Sequence, residues 1–282
     1  MSVDASLLGP PIKGPSALGT DPRRLWHLAR TMAVSDFKLR FFGSALGYLW
    51  QLVRPLMLFG VLYIVFTEVV RLGGNVEFYP VALLMGVVLF TFFGEATGGS
   101  LSSLVDREAL IRKVDFPRLA VPLSAILTAL MNVALNLVAV IVFLLASGGS
   151  VRLTWLEVPF LVLALAAFTF GLGMLFSALF VRYRDIRPIW EVCLQILFYA
   201  SPIFYPIDVV MNRSELAAKV MMLNPFAAVV QQMRHALIAP SHPSATAVAG
   251  VWIIGTFAVG IGVIVLGYRV FSKRAPSIAE QL

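Results

Sequence analysis

From Leu119 to Val151 the chain carries no charged side chain. A helix needs about 20 predominantly apolar residues to cross the ~30 Å hydrocarbon core of a bilayer. Inside lipid the backbone must satisfy its own hydrogen bonds, which favours a helix for such a run. The stretch 119–146 therefore reads as a membrane span, and comparable runs recur at about 41–70, 78–105, 155–181, 188–206 and 246–270. Composition agrees: 59% of residues are hydrophobic and 13% charged, against about 45–50% and about 25% in soluble domains. The expected fold is all-α and polytopic, with six transmembrane helices.

The charges lie between these runs, and their sign orients the chain. With the N-terminus inside, the inner segments hold sixteen Lys and Arg and the outer segments five, with Arg54 inside a span. That bias puts both termini in the cytoplasm. Basic loops facing an anionic inner leaflet also account for the net charge of +7, so the basicity does not call for nucleic acid. Cys193 is the sole cysteine, which excludes an intrachain disulfide and a thiolate metal cluster.

Residues 1–20 are rich in Pro, Gly and Ser and read as a disordered cytoplasmic tail. Asp21-Pro22 is a helix start, with a capping carboxylate and proline in the first turn. Leu25, Trp26, Leu28, Ala29, Met32, Ala33 and Phe37 follow at helical spacing among Arg23, Arg24, His27 and Arg30. This pattern predicts an amphipathic helix over 21–40, lying on the inner membrane surface or packed under the bundle. A membrane domain over 41–271 and a cytoplasmic end over 272–282 complete the expected organisation.

Within the first span Gly43 and Gly47 have small-xxx-small spacing, which suits helix packing. Arg54 snorkels to the inner surface or serves a function. Glu95, followed by Gly98 and Gly99, is either functional or solvated near the aqueous side. Asn132 and Asn136 share one face of the third span and suit interhelical hydrogen bonds. Asp106, Arg107, Glu108, Arg112, Lys113, Asp115 and Arg118 surround Leu110, Ile111 and Val114. That is a short amphipathic helix on the inner side, ended by Phe116-Pro117. A plain connector would not need its apolar stripe.

Arg182, Arg184, Asp185 and Arg187 form the second inner turn. The helix that follows meets Ser201-Pro202 and Pro206, where proline kinks or ends it. Such a break is tolerated at membrane depth only where protein or a water-lined cavity covers it. Residues 208–219 are too polar to span, and apolar positions recur at helical spacing after Asn224-Pro225. Two short helices dipping back into the outer leaflet are expected between 207 and 245.

The sequence contains no GxxxxGK[ST] phosphate loop, no GxSxG nucleophile motif and no paired-carboxylate site on an inner loop. His27, His235 and His242 form no metal-ligand pattern with carboxylates. Covalent chemistry by this chain alone is not indicated.

Four stretches carry a resemblance: FKLRFFGSALGYLWQLVRPL at 37–56, LIRKVDFPRLAVPL at 110–123, RYRDIRPIWEVCLQILFYASPIFYP at 182–206 and LNPFAAVVQQMRHAL at 223–237. In order and character they resemble the permease subunit of type-2 ABC exporters, in the branch that exports O-antigen, teichoic acid and galactan. The resemblance implies a homodimer in the bacterial inner membrane with two copies of a separate ATPase subunit. ATP and Mg would bind that partner, leaving this chain with no cofactor and no catalytic residue. It implies a coupling helix docked on the ATPase, falling on Asp106, Arg107, Glu108, Leu110, Ile111, Arg112, Val114 and Phe116. It also implies a lipid-diphosphate-linked glycan as substrate. Arg23, Arg24, Arg54 and Arg182 suit the diphosphate at the inner gate, and Arg184 and Asp185 pair helices there. Aromatics suit sugar rings along a path: Tyr48, Trp50, Tyr63, Phe90, Phe92, Phe93, Phe198, Tyr199, Phe204 and Tyr205. Most aromatics in spans are packing or interface belt instead. A drug- or lipid-exporting permease of the same fold is the alternative. A secondary transporter would need buried ionisable pairs and internal repeats.

Overall fold

The structure is a computed structural model describing residues 16–19, 21–40, 47, 49–70 and 76–282. The loop residues Gly73-Gly74-Asn75, together with Gly43, Tyr48 and most of the expected tail, lie outside the described residues. All regular structure among the described residues is helical.

The amphipathic stretch forms α1 (Pro22–Leu39), capped where Asp21 accepts a hydrogen bond from the Arg23 amide at 2.8 Å. Five helices are long and apolar enough to cross a membrane. Their helical cores are α2 (Leu49–Val69, its last six residues π-helical), α3 (Tyr79–Asp106), α5 (Ala120–Ala146), α6 (Glu157–Phe180) and α12 (Ile253–Arg274). Between α3 and α5 lies α4 (Glu108–Lys113).

The stretch expected as a fifth span, 188–206, is built differently. Its helix, α7 (Ile186–Ala200), has 15 residues, about 22 Å at 1.5 Å per residue. Ser201 is already extended and Pro202 follows. The chain then runs without helix until α8 (Ile207–Met211). The segment 207–245 contains three short helices rather than two: α8, α9 (Glu215–Met222) and α10 (Pro225–Met233, continued by a π-helical turn over Arg234–Ile238), with a fourth, α11 (Ala245–Ala249), at the start of the expected sixth span. Ser214, Asn224 and Ser244 each cap the helix that follows through the side-chain oxygen. These local stops explain the division. A last short helix, α13 (Ile278–Gln281), closes the fold.

α3 is the centre. It is apolar nearly all round, as a helix enclosed on all sides must be, and packs against α2, α5, α6 and α7. Its most apolar stretch is 72% buried, against 6% for that of α2 and 17% for that of the α12 region. Phe93 at its middle meets Phe168, Trp190 and Phe226 with ring centroids 5.0–6.1 Å apart. α6 and α12 approach so closely that a Cβ on Gly267 would lie 2.1 Å from the Gly171 carbonyl oxygen. Small residues permit such backbone contact between membrane helices.

Candidate functional site

Two regions hold much of the expected site: the short surface helix α4 with its bed, and the broken end of α7.

The apolar positions of α4 divide between two sides. Ile111 is 1% exposed and Phe116 5%, whereas Leu110 and Val114 are 38% and 48% exposed. Ile111 and Phe116 sit in a cluster with Leu104, Met174, Val181, Phe271, Ala275 and Ile278. The expected stripe of Leu110, Ile111 and Val114 therefore does not face outward as a unit. Ile111 anchors the helix, and only Leu110 and Val114 are free to meet another surface. Arg118 is buried and donates to the Ile111 carbonyl at 2.8 Å, satisfying an orphan acceptor at the C-terminus of α4. Its guanidinium lies over the Phe116 ring at 5.2 Å. Burial pulls its pKa below the usual arginine value, and nearby Asp115 opposes that shift. Glu108 and Arg112 pair along the exposed face at 2.9 Å. Asp106 accepts from the Ser102 hydroxyl at 2.6 Å.

Arg107 faces inward. It forms an ion pair with Asp36 of α1 and donates to the Ser124 hydroxyl of α5 at 2.7 Å. Arg40 pairs with Glu95 at 3.5 Å, and the Asn132 amide donates to the same carboxylate at 2.9 Å. Asp36, Arg40, Glu95 and Arg107 line a cavity of ≈ 520 Å³ between α1, α3 and α5. Glu95 is thus a paired carboxylate, and Asn132 is the interhelical amide expected of it. Asn136 instead donates to the Asn132 carbonyl within its own helix, at 2.9 Å. α1 packs Leu25, Ala29 and Ala33 toward the bundle, with Thr128 of α5 donating to the Ala33 carbonyl at 3.3 Å.

The break after α7 is closed by a residue that the sequence reading did not single out. Arg234 is 2% exposed. Its guanidinium donates to the Ile203 carbonyl at 2.8 Å and the Tyr205 carbonyl at 2.9 Å. The Tyr79 hydroxyl donates to the carbonyl between them, that of Phe204, at 2.6 Å. Three successive carbonyls released by the break are satisfied by two side chains from elsewhere in the fold. The signal available in the sequence was one arginine among the helically spaced apolar residues of 226–238. Nearby, His242 is buried against Arg234, and burial holds its pKa below the ordinary histidine value.

The expected gate cations are not brought together. Arg23 and Arg24 are exposed at the start of α1, with Arg24 reaching the Asp115 carbonyl at 3.5 Å. Arg54 is exposed within α2. Arg182 and Arg184 lie over the rings of Tyr183 and Phe180 at 5.5 and 5.0 Å. Exposed Asp185 precedes α7 and forms no ion pair among the described residues, so the expected helix pairing by Arg184 and Asp185 is absent there.

The aromatic set also divides. Phe92 and Phe93 are 3% and 1% exposed and belong to the packed core, so they do not line an open path in this fold. Apolar rings at the centre of a bundle are buried by the same force that assembles it. Tyr63 stacks on Phe59 at 5.7 Å. Partly buried Phe198 and Phe90 form a ring cluster with buried Phe204. The Tyr205 hydroxyl donates to the Tyr199 carbonyl at 3.1 Å. Trp50 and Tyr199 remain openly exposed, at 43% and 67%.

Long apolar helices around one enclosed span, an anchored amphipathic helix between two spans and a protein-covered helix break define a multi-pass helical membrane protein. The family model for the ABC-2 type transporters matches residues 27–238, and the chain belongs to that family. It is 32% identical to the O-antigen export system permease protein RfbA of Myxococcus xanthus over 192 residues, 67% of this chain and 72% of that protein. It is 28% identical to an O-antigen export system permease protein RfbA of Klebsiella pneumoniae over 211 residues, 74% and 80% of the two chains. It is 20% identical to the polysialic acid transport protein KpsM of Escherichia coli over 208 residues, 72% and 78% of the two chains.

Proposed function

We propose that this chain is the permease of an ATP-driven exporter that carries a lipid-linked polysaccharide outward across the bacterial inner membrane. It works as a homodimer, with both termini cytoplasmic and two copies of a separate ATP-binding subunit held on its inner face. The relatives' names support a polysaccharide cargo, and a sequence without a phosphate loop is consistent with ATP and Mg being held by the partner. The observation that carries the reading is the division of α4. A helix anchored by Ile111, Phe116 and Arg118 while offering Leu110 and Val114 outward can receive a push and pass it on.

In this mechanism ATP binding draws the partner subunits together and displaces α4. The displacement passes through the Ile111 bed to the inner ends of α3, α6 and α12. It also passes through Arg107 to α1 and α5. The glycan moves between the two copies, along faces that carry Trp50 and Tyr199, while the lipid stays at the bilayer. Arg23, Arg24 and Arg54 attract the diphosphate toward the inner mouth.

The test separates docking from folding. L110D/V114D is expected to leave expression and thermal unfolding close to wild type while the ATP-binding subunit no longer co-purifies and lipid-linked glycan accumulates inside the cell. Retention of both co-purification and export in that variant sinks the docking assignment.

A further inference from the structure

At the inner ends of α6 and α12, Arg182, Lys273 and Arg274 surround a cavity of ≈ 400 Å³ that Val270 and Gln281 complete. The volume is within the ~300–1,000 Å³ range of small-molecule sites. Arg182 and Arg274 lie over the same ring, that of Tyr183, at 5.5 and 5.8 Å. None of the ion pairs among the described residues involves Arg182, Lys273 or Arg274. Exposed Asp185 and Glu280, the acidic residues nearest in sequence, are likewise absent from those pairs. Three like charges are therefore gathered around one hollow without a carboxylate counter-ion.

Helix-end capping explains only part of this. Arg274 donates to the Ala178 carbonyl near the end of α6 at 3.3 Å, a normal partner for a cation at a helix C-terminus. Arg182 and Lys273 have no side-chain hydrogen bond among the described residues. The remaining requirement is an anion, and phosphate oxygens suit a guanidinium and an ammonium together. The surroundings indicate where that phosphate comes from. Leu266, Val270 and Lys273 follow one another along one face of α12, and Leu266 is 51% exposed. An apolar strip leading into a cationic hollow matches a lipid with its acyl chain on the helix and its headgroup at the end.

We propose that this hollow binds the phosphate of an anionic phospholipid of the inner leaflet. The site belongs to the α6–α12 side, whereas α2 packs on α3 and α5. It would steady the ends of the two helices against which α4 is bedded. The proposal rests on the reading that places these helix ends at the inner face.

The experiment uses the full purified permease in detergent. Phosphatidylglycerol, phosphatidylcholine and inorganic phosphate are added separately, and retained lipid is counted by native mass spectrometry alongside thermal unfolding. Wild type is expected to retain and be stabilised by phosphatidylglycerol. R182Q/K273Q should lose that retention about tenfold or more, since each surface cation adds about a factor of five. R187Q, a nearby charge paired with Glu191, should behave as wild type, and unchanged phosphatidylcholine retention reports an intact fold. Equal phosphatidylglycerol retention by wild type and R182Q/K273Q overturns the proposal. Equal stabilisation by inorganic phosphate overturns the lipid source. Orientation is read independently, by labelling P276C in a C193S background with a membrane-impermeant thiol reagent. Labelling from outside the cell overturns the topology whatever the detergent result.

Discussion

Arg234 shows what a single side chain can decide in a lipid-embedded fold. A helix that stops inside a bundle leaves carbonyls without partners, and each unsatisfied buried acceptor costs about 1–3 kcal/mol. The guanidinium fork meets two of them at once, from residues 29 and 31 positions away in the chain. R234M removes both bonds without removing the bulk and is expected to destabilise the fold by about 3 kcal/mol. R234K should lose less, because an ammonium donates without the fork's geometry. Thermal unfolding in detergent checks this, and wild-type stability in R234M removes the fork from the account. The break itself was legible from Ser201-Pro202. What covers it was not, because a lone arginine in a sequence does not reveal which distant carbonyls it will meet. The same holds for Ile111 and Leu110. In a helix of 6 residues, neighbouring apolar positions point different ways, and only the bed beneath decides which is anchor and which is free.

Among the elements, the long spans were the easiest to read. The uncharged run expected at 119–146 is the helix Ala120–Ala146, since an apolar stretch in lipid has few alternatives to a helix. α7 was harder, because length in residues does not show where a helix hands over to extended chain. The close contact of α6 and α12 yields a direct expectation. G267L drives a side chain into the Gly171 carbonyl and should cost at least about 2 kcal/mol of stability, the scale of overpacking. G262A, whose Cβ meets nothing within 4 Å, should remain within about 1 kcal/mol of wild type, with any gain coming from helix propensity. The paired melting curves decide it, and similar losses in both variants rule out backbone contact as the cause.

For the molecule as a whole, the unpartnered faces matter most. α2 is hardly covered, and α7 leaves Ile189, Val192, Ile196 and Tyr199 between 55% and 67% exposed. If these faces meet a second copy, as the proposed homodimer requires, I196C in a C193S background should cross-link into dimers in native membranes. L266C on α12 should not. Monomers from both variants under oxidising conditions count against α7 as the meeting face. Neither face could be ranked from the sequence, where all spans look equally greasy; enclosure of α3 and exposure of α2 arise only once the helices are assembled.

The bed of α4 draws on Ala17, Leu25, Leu104, Val181, Phe271 and Ile278, positions scattered from just before the first helix to the last. On the ribosome, a chain halted before residue 271 has made α4 but lacks Phe271, Ala275 and Ile278 from the floor on which it rests. If the ATP-binding subunit docks on α4 as proposed, its grip would be complete only once those closing residues have been translated and folded home.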